Sequence, residues 1–188
     1  PLIFSNNDRP GIILSSSIKK YIDYYGVKTG ESISLFTNND SAYETAISLN
    51  KSGVKVKVII DIRENSNSIL SEKIEKTGIK ILRGYTVTNT VGYRRVNSIE
   101  VMKLSKDGES VVGNKIIYKC DCLGISGGWT PMVHLFTQSG GKLKFREEDQ
   151  VFIPNSYPSE QINIGSCNGD FTLNEIFLNI TRSLKKFL

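Results

Sequence analysis

Between Ile33 and Arg63 the chain carries residue types in an order that could hold a dinucleotide. Ile33-Ser34-Leu35-Phe36 reads as a short apolar strand and Thr37-Asn38-Asn39-Asp40-Ser41-Ala42 as a polar turn. Tyr43 to Asn50 has helical spacing, and Val54 to Ile60 reads as a second strand that closes on Asp61. In a dinucleotide-binding βαβ unit the turn amides take a pyrophosphate, and an acid about 20 positions further on takes a ribose hydroxyl. That fingerprint requires G-x-G-x-x-G/A; here Thr37, Asn39 and Ala42 stand at the three positions, and only Ala42 keeps the small size. A Cβ at the first two crowds the space for phosphates, although asparagine tolerates the tight backbone. Two readings stay open for this turn and for Asp61: a structural remnant, which we favour, and a working nucleotide site. Ser41 and Glu44 have the spacing of a capping box, and Arg63 reads as a solvated surface charge.

Few other residues offer chemistry. His134 is the only histidine, and no Ser, Cys or acid can be placed beside it, so no catalytic residue is assigned. Of three cysteines, Cys120 and Cys122 are two apart in a strand-like run and are expected to share a face; with no second pair and no His cluster, no metal site is assigned. Buried, reduced thiols in a cytoplasmic protein are the expectation. The net charge of +5 is scattered over the 188 residues and not interleaved with aromatics, which argues against nucleic acid. No apolar run approaches the roughly 20 residues of a membrane span. An abrupt start at Pro1 suggests a piece of something longer.

The elements that must position these residues fall into three stretches. Residues 1–29 read as a strand, the turn Asp8-Arg9-Pro10-Gly11, and a helix with Leu14, Ile18, Ile22 and Tyr25 on one face, stopped by Gly26. Residues 30–126 hold the βαβ unit, a helix from Ser68 to Lys76, and a β-meander with strands at Ile79 to Thr88, Tyr93 to Val96 and Ser98 to Leu104; Lys115 to Lys119 and Leu123 to Ser126 return to the sheet. In residues 127–188, Ile162 to Gly165 reads as a strand entering the turn Ser166-Cys167-Asn168-Gly169. Leu173, Ile176, Phe177, Ile180, Leu184 and Phe187 then make an amphipathic stripe. That strand and helix need a sheet, whose other strands are expected upstream of Pro1. Trp129 is expected to pack at the hinge between the domains.

This layout resembles the inner domain of the two-dinucleotide, disulfide-reductase-like flavoproteins. Three stretches, Pro1 to Leu14, Phe36 to Tyr43, and Ser126-Gly127-Gly128-Trp129-Thr130-Pro131 onward to Leu143, resemble the alpha subunit of heterotetrameric sarcosine oxidase. The resemblance implies an α/β fold: a Rossmann-like domain of the disulfide-reductase NAD-domain type with its β-meander at 30–126. Flanking it would be pieces of an incomplete outer dinucleotide-binding domain, a connecting segment at 1–29 and a return segment at 127–188.

The same resemblance implies oxidative demethylation of sarcosine to glycine, with hydrogen peroxide and with formaldehyde or methylene-tetrahydrofolate as products. It implies beta, gamma and delta partner subunits, FAD and FMN on or at the interface with the beta subunit, and tetrahydrofolate as one-carbon acceptor. NAD would sit in the outer domain of the alpha subunit, touched here by Gly165, Ser166, Phe171 and Leu173. Ser166 stands where disulfide-reductase relatives place an Asp for a flavin ribityl chain, which speaks against FAD at this turn. No turnover is expected of this piece alone. Alternatives are a freestanding Rossmann-like module that uses Asp61, a subunit of a related amine- or opine-oxidising flavoenzyme, and a domain whose meander docks the beta subunit.

Overall fold

A computed structural model describes residues 2–157 and 161–185. The chain divides into two compact units after Gly128.

The first unit is built on a parallel sheet of β1 (Ile12–Leu14), β2 (Ser32–Thr37), β3 (Lys55–Asp61), β4 (Ile81–Arg83) and β8 (Cys122–Ser126), in the order β1-β8-β2-β3-β4. Helices α1 (Ser15–Tyr25), α2 (Ser41–Lys51) and α3 (Ile69–Glu75) connect successive strands. Between β4 and β8 the chain forms an antiparallel meander of β5 (Tyr85–Val91), β6 (Ser98–Leu104) and β7 (Val111–Lys119). The central strands read as near-continuous apolar runs because both sheet faces are covered. Alternate side chains then serve different layers. Ile33, Leu35 and Ile59 pack with Ile18, Tyr43, Ala46, Leu49 and Ile74 of the helices. Phe36, Val58 and Ile60 pack with Val87, Ile99 and Val101 of the meander. Gly124 sets the distance of α1 from the sheet: a Cβ there would lie 2.6 Å from both Ile18 Cδ1 and Leu35 Cδ2.

Several expectations are corrected. Residues 2–7 form no strand, and only Ser5 bridges Asn89; the first strand is β1, beyond the Asp8–Gly11 turn. Because β1 pairs with β8, and α1 covers that sheet, residues 12–25 are integral to the first unit. Tyr93 to Val96 is a turn rather than a strand: Asn97 N–H donates to Val91 O (2.8 Å), Val96 N–H to Pro10 O (2.8 Å), and the Arg9 guanidinium to Gly92 O. The meander strand before β8 is longer than expected, starting at Val111. Cys120 and Cys122 do not share a face. The chain bends between β7 and β8, so Cys120 enters the meander-side core and Cys122 the helix-side core.

The second unit contains α4 (His134–Gln138), the hairpin β9 (Lys142–Arg146) and β10 (Val151–Ser156), a 3₁₀ turn at Gly165–Asn168, and α5 (Leu173–Leu184). Ile162 to Ile164 is not assigned as a strand, for no partner strand lies beside it among the described residues. The α5 helix opens on a capping box, Thr172 with Glu175, and buries none of its residues. Leu173, Phe177, Leu178 and Leu184 are all exposed. Phe187 of the expected stripe lies outside the described residues.

Candidate functional site

At the carboxyl ends of β2 and β3, where a doubly wound sheet takes its ligand, side chains fill the space. Thr37 Oγ1 donates to Asn39 O (2.7 Å) and accepts from Asn39 N (3.0 Å). The Asn39 amide nitrogen donates to Ser126 O (3.0 Å), while its carbonyl oxygen accepts from Ser41 N (3.1 Å) and Ser41 Oγ (2.6 Å). The two residues that replace glycine therefore close the turn on themselves and tie it to the end of β8. The Ser41–Glu44 capping box does not form: Asp40 is the N-cap and Ser41 already belongs to α2.

Asp61 is fully buried. Its Oδ1 accepts from Arg63 N (2.9 Å) and Arg63 Nε (3.0 Å); its Oδ2 accepts from Arg63 Nη2 (2.7 Å) and Tyr43 OH (2.7 Å). Arg63 Nη2 also pairs with Asp40 at 2.7 Å. Arg63 is thus a structural clamp and not a solvated charge. Two residues apart at the end of an extended strand, the two side chains fall on one side, and the guanidinium fork matches both carboxylate oxygens. Hydrogen bonding to Asp61 raises the Arg63 pKa. Burial, helped by the bond to Asp61, pushes the Tyr43 hydroxyl up to about 12. Tyr43 OH further reaches Ser66 Oγ (3.1 Å), which accepts from Arg83 Nε (3.1 Å). With both oxygens occupied, Asp61 has no capacity for a ribose hydroxyl. The sequence signal for this network was the Asp-x-Arg spacing.

The second predicted site lies in the second unit. Gly165 opens the 3₁₀ turn at φ +83°, and a Cβ on it would meet nothing within 4 Å. Gly165 is itself buried, and only the direction its Cβ would take is open. Ser166, Phe171 and Leu173 are exposed. The N-terminus of α5 is not free for an anion. Glu175 Oε2 accepts from Phe171 N (3.2 Å) and Thr172 N (3.0 Å), placing a carboxylate where the helix dipole would attract a phosphate. The adjoining hollow, about 360 Å³, carries Glu148, Asp149, Asp170 and Glu175 against one cation, Arg146, which is paired with Asp149. A hollow with this excess of carboxylates does not fit a pyrophosphate.

His134 begins α4, exposed, and Trp129 is exposed as well. Burial pushes the Cys120 thiol up to about 11 and raises that of Cys122. Among the described residues no group of His, Cys, Asp and Glu could hold a metal, and no helix is long and apolar enough to cross a membrane.

The parallel sheet, covered by helices on one face and a meander on the other, is the fold of the FAD/NAD-dependent disulfide oxidoreductases. Solved structures of similar fold include the flavoprotein disulfide reductase RclA from Escherichia coli (TM-score 0.63, 15% identity, 97% of this chain and 40% of that one). Thioredoxin reductase from T. acidophilum gives a TM-score of 0.59 at 18% identity, over 89% of this chain and 57% of that one. In sequence the chain is similar to sarcosine oxidase subunit alpha. The identity is 33% over 169 residues with the Corynebacterium sp. (strain U-96) protein, covering 90% of this chain, and 31% over 168 residues with that of Rhizobium meliloti, covering 89%. The chain spans only about a sixth of the length of these relatives (17% and 16%). No family model matches it.

Proposed function

We propose that this chain is the inner Rossmann-like region of a sarcosine oxidase alpha subunit, together with stretches that join an outer dinucleotide-binding domain. The carrying observation is the 33% identity maintained through 90% of the chain on a disulfide-oxidoreductase fold. The whole protein would act in the cytoplasm with beta, gamma and delta subunits. A flavin held outside this chain would supply the two-electron oxidation of sarcosine, with glycine, hydrogen peroxide and either formaldehyde or methylene-tetrahydrofolate as the products. FAD and FMN belong to the beta subunit and its interface in this reading.

NAD is a two-electron hydride carrier, and this chain's part is to hold it. Gly165 admits close approach, Ser166 offers a hydroxyl, and Phe171 and Leu173 offer apolar faces; the pyrophosphate must find its donors elsewhere. The unburied stripe of α5 is consistent with an outer sheet packed upon it. The test is the full-length protein, expressed with its companion subunits and assayed for sarcosine-dependent oxygen uptake and for bound nucleotide released on denaturation. Phe171→Asp and Leu173→Asp should lower NAD content, whereas Asp61→Ala should leave it unchanged. Loss of NAD in Asp61→Ala alone would favour the freestanding nucleotide module.

A second role, docking of the beta subunit on the meander, is favoured by Val91, Val111, Val112 and Ile117, the last 64% exposed. An Ile117→Asp protein that assembles normally would remove it.

A further inference from the structure

The meander has two edge strands, and the chain treats them differently. β7 carries Lys115 and Lys119 among its nine residues, and lysines on an edge discourage pairing with another chain. β5, at the other edge, has no such protection of its own. Its seven residues, Tyr85-Thr86-Val87-Thr88-Asn89-Thr90-Val91, hold no charge, no proline and no glycine, and all but Asn89 are Tyr, Thr or Val. An uncharged β-forming run of that length, left on an open edge, recruits a further strand.

Residues 4–10 lie along that edge. Ser5 makes a parallel bridge to Asn89, and its N–H donates to Thr88 O (3.2 Å). The pairing of β5 with β6 slips between Val87 and Asn89, so Thr88 is the extra residue of a bulge, and Ser5 supplies its carbonyl with a donor. Asn6 Nδ2 donates to Asn89 Oδ1 (2.8 Å), and Asn6 O accepts from the buried Thr90 hydroxyl (2.8 Å). Arg9 reaches Thr90 Oγ1 through Nε (3.4 Å) and Gly92 O through Nη1. Each of these bonds ends on β5 or on the turn that follows it.

The segment is fastened by apolar side chains. Leu2 and Phe4 face the core between sheet and meander, whereas Ile3 between them is 81% exposed. Phe4 is 8% exposed and stands edge-on to Phe36, with centroids 5.8 Å apart. That alternation is a strand's, yet Ser5 makes the one β-bridge of the segment among the described residues. Burial of Phe4, more than backbone pairing, therefore keeps the segment in place.

We propose that residues 4–10 are an intramolecular cover for the β5 edge, with Phe4 as its latch, and that release of the latch lets β5 pair antiparallel with β5 of a second copy of this chain. An uncharged strand meets its own copy across a two-fold axis without like-charge repulsion. The covered state excludes that pairing, because Ser5 and Asn6 stand where the second strand would lie.

Full-length protein carrying Phe4→Ala with Arg9→Ala tests this. Hydrogen exchange across β5 should accelerate by about ten-fold or more relative to β6, and sedimentation should show the mass doubling as concentration rises. Adding Thr86→Lys puts a charge on the edge: exchange should stay fast and the doubled mass should disappear. Unlatched protein that exchanges fast in β5 and keeps its original mass at every concentration would overturn the proposal. A doubled mass that survives Thr86→Lys would overturn it too, since the contact then lies elsewhere, as would β5 exchange that does not change. Should the double variant lose its cooperative melt, Ser5→Pro, which removes one amide and leaves Phe4 in the core, is read by the same measurements and the same criteria.

Discussion

Arg63 closes over Asp61 with a two-pronged grip, Nε 3.0 Å from Oδ1 and Nη2 2.7 Å from Oδ2, at the point where a nucleotide-binding strand would present its acid to a ribose. With the Asn39 side chain filling the turn above, the inner domain keeps the scaffold of a dinucleotide site and satisfies its polar groups internally. Any dinucleotide then has to be held by other parts of the protein.

Removing Asp61 should be costly. Asp61→Ala leaves the Arg63 guanidinium and the Tyr43 hydroxyl without their main acceptor, and breaking a buried pair on one side costs about 3–5 kcal/mol. Arg63 is part-exposed and water would recover some of that, so about 2–3 kcal/mol is the expectation. Urea unfolding of the chain with and without the substitution measures it.

Reopening the turn should not restore binding. Thr37→Gly with Asn39→Gly removes the side chains that fill the cradle and is expected to lower stability by about 1–3 kcal/mol through lost hydrogen bonds. Titration with NAD should show no new site in the inner domain, because the clamp on Asp61 persists. Appearance of a second bound nucleotide would contradict this reading.

Alkaline pH should loosen the first unit in a defined window. The folded state holds the Tyr43 proton to about 12, against an ordinary value of 10.0, and the Cys120 proton to about 11, against 9.0. Folded-state pKa values raised in this way give stability that is complete below the unfolded values and fades as pH climbs through the folded ones. Unfolding free energy should therefore fall between about pH 9 and pH 12, and Tyr43→Phe should flatten the upper part of that fall.

Thiol labelling at neutral pH should be slow at Cys120 and Cys122, which are buried and held protonated by burial. Cys167 is only partly buried and should react first; in denaturant all three should label at comparable rates. Equal rates in the native protein would contradict the packing described for the β7–β8 bend.

Filling the space at Gly124 should displace α1. The Gly124→Val side chain would press on Ile18 and Leu35, and overpacking of this kind costs about 1–3 kcal/mol. Hydrogen exchange should accelerate in α1 more than in β3. Uniform exchange would argue against Gly124 as the spacer.

Much of this organisation was legible in the sequence because it rests on local patterns. Apolar runs bounded by turn residues marked β2 and β3, Gly26 marked the end of α1, and Thr37 and Asn39 in place of glycine announced a filled phosphate cradle. The Cα–Cβ chemistry of those two positions decides that point wherever the chain folds. What the sequence left undetermined depends on which distant segments meet. Tyr93 to Val96 has strand-forming residues, yet its amide at Val96 pairs with Pro10, which lies far off along the chain. Cys120 and Cys122 have the spacing of one face, yet a bend between two sheets sends them to opposite cores. Arg63 has the composition of a surface residue, and only the arrival of Asp40 and Tyr43 beside Asp61 makes it a clamp. Periodicity records a residue's neighbours along the chain, whereas burial and charge pairing are properties of its neighbours in space, and these are fixed only when the sheet closes.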